Sequence, residues 1–249
     1  DEFEEIVDDF FACMDQPTID GLNTYLVSRA TAKQGLKVVL SGLGADELFG
    51  GYPSFRQIPA IMKWGRHFSF ARSLGPLTER LLRRLALPRM PPKAAGLLSY
   101  SGDIARAYLL RRALYLEDEL DGLLDESTVT EGLERLSTTH SVAETVSKLP
   151  ATSYARVAAL ESCWYLRNQL LRDTDWSSMS HGVEVRTPFV DASLLGQLAP
   201  AIASDRPPTK RNLAACTRLL PAAILARPKT GFCTPVQAWI SPEGKLGRG

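Results

Sequence analysis

The run LKVVLSGLGADELFGGY, Leu36 to Tyr52, constrains this chain more than any other stretch. Leu36 to Leu40 reads as a short buried strand, apolar except for Lys37. Ser41, Gly42 and Gly44 follow as a glycine-rich turn, and two adjacent acids, Asp46 and Glu47, open a very short helix closed by Gly50 and Gly51. Upstream, Asp20 can cap a helix whose apolar residues Leu22, Tyr25, Leu26 and Ala30 follow helical spacing, and Gly35 can end it in the left-handed conformation. Helix, glycine, strand, glycine-rich turn, helix is the back half of a βαβ unit, so the front strand is expected upstream of Asp1.

At the carboxyl end of a parallel strand, such a turn faces the crevice where doubly wound sheets bind ligands. Glycines there let backbone approach a ligand closely, and unpaired N–H groups at a helix start favour phosphate. Taken singly, Asp46 and Glu47 are ordinary partners of a helix dipole. Beside a phosphate they point to Mg²⁺, which commonly binds one or two carboxylates and bridges to substrate phosphates. The Gly-x-Gly by itself is a weak signal, because the third glycine of the dinucleotide fingerprint is missing and no GxxxxGK(S/T) occurs.

Beyond Tyr52 the pattern is helical to the end of the chain. Gly75, Pro76, Pro88, Pro91, Pro92 and Gly96 punctuate the segment from Met62 to Leu97, which reads as short helices or a mobile insertion. Val157, Leu160, Trp164 and Leu171 mark one long helix from Tyr154 to Leu171. The 249 residues are 45% hydrophobic and 23% charged, with a net charge of +1, so composition is globular and gives no global attraction to nucleic acid or anionic lipid. The basic stretch Arg66 to Lys93 and the acidic stretch Glu117 to Glu134 read as solvated helix faces. No apolar run reaches the roughly 18 residues of a bilayer span and no secretion signal is visible, so no membrane is expected and the expected compartment is the cytoplasm. Cys13, Cys163, Cys216 and Cys233 form no CxxC pair and lie far from His67, His140 and His181, which favours buried free thiols over zinc or disulfides.

Taken whole, LSGLGADELFGGY resembles the second active-site loop of the asparagine synthetase family, and two further stretches resemble that family in the right order. These are LLRDTDWSSMSHGVEVRTPFVD, Leu170 to Asp191, and LPAAILARPKTGF, Leu220 to Phe232. The resemblance implies an α-rich α/β fold, the carboxy-terminal portion of a doubly wound PP-loop nucleotide domain, mostly helical with very few parallel strands. Residues 1–55 would be the back half of the nucleotide-binding core and 56–249 the helical remainder. It further implies a ligase that adenylates a carboxylate, aspartate in the best-known members, with ATP and magnesium, releases pyrophosphate, and passes ammonia from a glutaminase domain to the acyl group. Carried over residue by residue, Ser41, Gly42, Leu43 and Gly44 would meet the nucleotide, Asp46 would hold the metal, and Lys229 would neutralise phosphate charge. A lysine ammonium, a compact point charge, suits that last task.

In the middle stretch, Asp173 and Asp175 stand open between catalytic and structural roles. Glu184, Arg186 and Asp191 read rather as a structural ion-pair network, since buried charges must be paired. His181 reads as a satisfied buried or interfacial histidine.

Two departures from the family pattern matter. Leu43 occupies a position that is glutamate in asparagine-forming members, and leucine can neither accept a proton nor hold a cation. The family's first nucleotide loop, SGGxDS, and its amino-terminal glutaminase domain do not occur in these residues. The expectation is therefore a carboxy-terminal fragment that is inactive by itself, with an orphaned strand edge or core face that can drive homodimerisation. Rival readings are a paralogue using another amine nucleophile, in ring closure or peptide ligation, and a non-catalytic scaffold. A nucleic-acid module lacks the interleaved aromatics it would need.

Overall fold

The computed structural model describes residues 5–18, 20–67, 93, 96–120, 123–149, 152–215, 220–225, 227 and 234. In chain order the helices begin with α1 (Val7–Cys13), α2 (Gly21–Lys33), α3 (Ala45–Leu48), α4 (Ser54–His67), α5 (Leu97–Tyr100) and α6 (Ile104–Arg112). They continue with α7 (Glu126–Leu136), α8 (Thr138–Ser147), α9 (Ser153–Leu160), α10 (Leu171–Met179), α11 (Ala192–Ile202), α12 (Lys210–Ala215) and α13 (Ala222–Leu225). A π-helical segment, Glu161–Leu170, joins α9 to α10. Strands β1 (Val38–Leu40) and β2 (Glu184–Arg186) pair in parallel, with Val38 opposite Glu184 and Leu40 opposite Arg186. Among the described residues this helix-dominated architecture with one parallel strand pair agrees with the α-rich expectation.

The chain divides into two compact units that interleave in sequence. One comprises Asp1–Ala45, Leu166–Gly196 and Arg211–Gly249, the other Asp46–Tyr165 and Gln197–Lys210.

In the first unit, α10 packs against α1, α2 and β2. Its core is aromatic: Phe10 meets Tyr25 and Trp176 edge-on at centroid distances of 5.4 and 5.6 Å, with Ile6 and Leu22 beside them. Edge-to-face rings contribute beyond their buried area, which helps so small a core. Helix α2 begins differently from expectation. Asp20 makes no side-chain cap bond, and the Thr18 hydroxyl accepts from Gly21 N–H at 2.8 Å instead. The same hydroxyl donates to Asp173 Oδ2 at 2.5 Å, so one threonine satisfies a helix start and a buried carboxylate together. The end of α2 matches the sequence, with Gly35 at φ +75° donating its N–H to Ala32 O.

Three sequence expectations fail here. The strand is three residues long and not buried: Val38 is 43% and Leu40 76% exposed, because among the described residues β1 pairs with β2 alone and no element covers the face those two side chains share. The pattern after Tyr52 is not helical to the end, since Glu184–Arg186 is a strand. Cys13 and Cys163 are free but only half-buried, and Cys216 and Cys233 lie outside the described residues.

In the second unit, α4, α6, α8 and α9 pack round Ile58, Tyr108, Val142, Val157 and Leu160. The anticipated long helix is present as a continuous helical path, but it widens from α to π after Leu160, which apolar spacing alone did not reveal. On the π segment Glu161 is fully buried. Arg112 reaches it with Nε 3.2 Å from Oε1, while Nη2 lies 2.8 Å from Oε2 without the alignment of a hydrogen bond. The guanidinium lies over two rings that stand edge to face with each other, 4.7 Å from the Tyr52 centroid and 3.8 Å from that of Tyr165. Acidic residues of α7 are exposed, as a solvated face requires, with Glu131 and Arg135 paired one turn apart. Most of the basic stretch, and most of the punctuated segment after Met62, lie outside the described residues; α4 itself runs through Met62 to His67.

Replacing Thr18 by valine should cost about 2 kcal/mol in urea unfolding, since a cap and a donor to a buried carboxylate go together, while Thr18→Ser should cost well under 1. Arg112→Met should cost about 3 kcal/mol or more by stranding the Glu161 charge, and the double variant Arg112→Met, Glu161→Met should recover most of that loss. A double variant no more stable than Arg112→Met would show that the pair is not the source.

Candidate functional site

The loop after β1 is shaped by its neighbours in the first unit. Ser41 N–H donates to Arg186 O at 2.8 Å, carrying the β1–β2 ladder one residue beyond Leu40. Gly42 O then accepts from Ala45 N–H at 3.2 Å, closing the turn into α3, and Ser41 Oγ accepts from Leu43 N–H at 3.4 Å. Gly44 sits at φ +92° with Phe189 O and Val190 Cγ2 each 3.0 Å from where a Cβ would be, so conformation and space both demand glycine. Gly42 is exposed, and nothing lies within 4 Å of its own missing Cβ. Its backbone is therefore open to a ligand, whereas Leu43 is half-buried and brings only a hydrocarbon.

Asp46 and Glu47 occupy the first turn of α3, as the sequence implied, and belong to the second unit. Their surroundings separate them. Glu47 is 1% exposed; Oε1 accepts from the Tyr52 hydroxyl at 2.9 Å, and Oε2 has no hydrogen-bond partner. Burial pushes its carboxyl up from the ordinary glutamate range, its own backbone N–H and the Tyr52 hydroxyl oppose that rise, and the charges of Asp46 and Glu161 add to it. Asp46 keeps some access to solvent, and its Oδ1 lies 2.5 Å from Lys210 Nζ. A carboxylate already holding a compact cation is suited to a hard divalent ion shared with phosphate.

Lys210 and Tyr154 were not singled out in the sequence. Tyr154 Oη lies 3.1 Å from Leu48 O and 2.7 Å from Pro208 O, so its one proton serves two carbonyls, and burial pushes its phenol up to about 12. No local signal marks them, because the contacts join α3 and the turn after it to residues more than a hundred positions away.

The remaining expected site residues separate by environment. Asp173, 1% exposed, accepts from Thr18 and from Trp176 Nε1 at 3.3 Å, and burial raises its carboxyl above the usual range although Thr18, Trp176 and Gln16 oppose it. These partners bind it into the aromatic core of the first unit. Asp175 is on the same helix and exposed. Arg172 pairs with Asp15 at 2.8 Å on the surface.

Glu184 and Arg186 do pair, at 2.8 Å, but they are 58% and 61% exposed, a solvent-side contact between strand residues two apart rather than a buried network. Asp191 takes no part in it: its Oδ1 accepts from Leu194 N–H at 2.7 Å at the start of α11. His181 rests its ring on Tyr25 at 4.4 Å, yet Nε2 has no hydrogen-bond partner, so it is not the satisfied histidine expected. Burial, with Arg29 nearby, lowers its pKa. Lys229 lies outside the described residues. Among the described residues no cluster of His, Cys, Asp and Glu could by itself hold a metal ion, and no helix is long and apolar enough to cross a membrane.

A family model described as asparagine synthase matches residues 1–247. A Mycobacterium tuberculosis protein named as a candidate asparagine synthetase (glutamine-hydrolyzing) is 29% identical over 96% of this chain, and asparagine synthetase (glutamine-hydrolyzing) 1 of Bacillus subtilis is 28% identical over 92%. In both cases the chain spans 36% of the relative's length. Asparagine synthetase (glutamine-hydrolyzing) 1 of Saccharomyces cerevisiae is 56% identical over a stretch of 40 residues. No solved structure matches the chain. With a family-model match over residues 1–247, the chain belongs to the asparagine synthase family.

Proposed function

We propose that this chain is the carboxy-terminal part of the synthetase domain of an ATP-dependent amide-forming ligase, a glutamine-dependent asparagine synthetase or a near paralogue, with the PP-loop nucleotide fold of that family. The observation that carries the reading is the run from Ser41 to Asp46. Gly42 leaves backbone open to a ligand, Gly44 is packed where only glycine fits, and Asp46 presents a carboxylate to a cation. In this reading Ser41 to Gly44 receive the nucleotide and Asp46 holds magnesium. Magnesium, when bound, neutralises charge on the departing pyrophosphate. Lys229 would add positive charge there. Asp175, exposed on α10, is better placed than Asp173 to meet a ligand, because Asp173 already has three donors in its core.

Leu43 favours a second reading within the same chemistry. A half-buried leucine gives an attacking ammonia no base, so a paralogue with a different amine nucleophile, in a ring closure or a peptide ligation, fits that position as well. The carboxylate is aspartate in the first reading and open in the second. The SGGxDS loop does not occur in these residues, so the 249-residue chain assayed alone is expected to release no pyrophosphate.

The test is pyrophosphate release by the full-length protein with ATP, Mg²⁺, aspartate and either glutamine or ammonia. Asp46→Asn should lower kcat/KM about a hundredfold or more while leaving the unfolding midpoint near that of the wild type. Wild-type turnover unchanged by Asp46→Asn would remove Asp46 from the metal site. Activity only with another carboxylate and amine would select the second reading, and no ATP turnover with any substrate would select a scaffold.

A further inference from the structure

The contact between Lys210 and Asp46 is built with more care than a surface ion pair needs. Half-exposed pairs of this kind are usually worth little, because ordering a long lysine side chain offsets most of the attraction. Here the backbone does the ordering, within the second unit. Lys210 N–H donates to Phe49 O at 3.2 Å, and Gly51 N–H donates to Asp46 O at 2.8 Å. Tyr154 ties the end of α3 to Pro208, two residues before the lysine. Gly50, at φ +61°, lies so close to the Tyr154 ring that a Cβ would come within 2.9 Å of it. At Gly51 a Cβ would collide with Asp46 Oδ1 and crowd Lys210 Cε, so glycine there leaves the room in which this pair sits.

An ammonium is a compact, strongly hydrated cation. Fixed 2.5 Å from Asp46 Oδ1, it satisfies the carboxylate as a bound divalent ion would. We propose that Lys210 is a placeholder cation: it holds Asp46 when no metal is present and must leave before a divalent ion can bind there. This rests on the reading of Asp46 as a metal ligand. A bare divalent ion then has to expel an ammonium that gains nothing in exchange. An ion arriving on nucleotide phosphates brings anionic oxygens that give the displaced ammonium a new partner. The pair therefore suppresses binding of free cation and favours entry of the cation–nucleotide complex.

The test is Mn²⁺ binding to the full-length protein, followed by electron paramagnetic resonance with and without a non-hydrolysable ATP analogue. Lys210→Met should bind free Mn²⁺ about threefold tighter than wild type, a factor of the size such half-exposed pairs support. The gain should shrink or vanish when the analogue is present. Lys210→Arg, which keeps the charge, should stay near wild type. Tyr154→Phe keeps the ammonium but removes its anchor, and should fall between. Free Mn²⁺ binding by a folded Lys210→Met protein that is no tighter than wild type would overturn the placeholder role. If the wild type binds Mn²⁺ with the analogue, that failure belongs to Lys210 alone. If the wild type binds Mn²⁺ in neither condition, the metal-site reading of Asp46 falls with it.

Discussion

Parallel pairing of Val38–Leu40 with Glu184–Arg186 joins two segments that are far apart in the chain, and the geometry of the candidate loop follows from it. The ladder does not stop at Leu40: Ser41 N–H continues it to Arg186 O, so the first residue of the loop is still held as sheet. Three residues later Gly44 lies against Phe189 O, which belongs to the turn that follows β2. Shift the register by one and the glycine no longer meets the gap made for it. A two-stranded pair has little stability of its own, and here α10 supplies the support by packing on β2, α1 and α2 together.

A different constraint governs the second unit, which is the handling of buried charge. Glu161 is fully buried and Glu47 nearly so, and Arg112 and Tyr52 connect them. Arg112 lies over the Tyr52 and Tyr165 rings while facing Glu161, and Tyr52 donates to Glu47 from the same ring that the guanidinium covers. A planar, delocalised cation can stack and pair at once, which an ammonium cannot, so a lysine at this position would keep the charge and lose the arrangement. The acid that stays buried thereby anchors α3, while its neighbour Asp46 remains half open.

The local parts of this structure were legible in the sequence. Gly35 ends α2 in the left-handed region, Gly50 and Gly51 close α3, and the two acids fall in its first turn, because each depends on a residue's own backbone freedom or on neighbours within one helical turn. Family resemblance added an expected role for the loop and named Asp46 as the metal candidate. What could not be read is the identity of partners. Thr18 replaces Asp20 as the cap because it also faces Asp173, and nothing near Thr18 in sequence says so. Apolar composition promised that β1 would be buried, but burial belongs to the elements around a strand, and the described ones leave Val38 and Leu40 exposed.

The sequence by itself determined the family, the glycine loop and the acids that follow it, since these are encoded by residue type at fixed short spacing. Tertiary structure decided which of those acids is sealed and which is available. Glu47 is closed off by Tyr52 and shares its surroundings with Glu161, while Asp46 is met by a lysine more than a hundred residues away whose backbone N–H is held by Phe49 O. Two adjacent carboxylates are chemically alike in a sequence. They become different only when the fold removes water from one and leaves a cation beside the other.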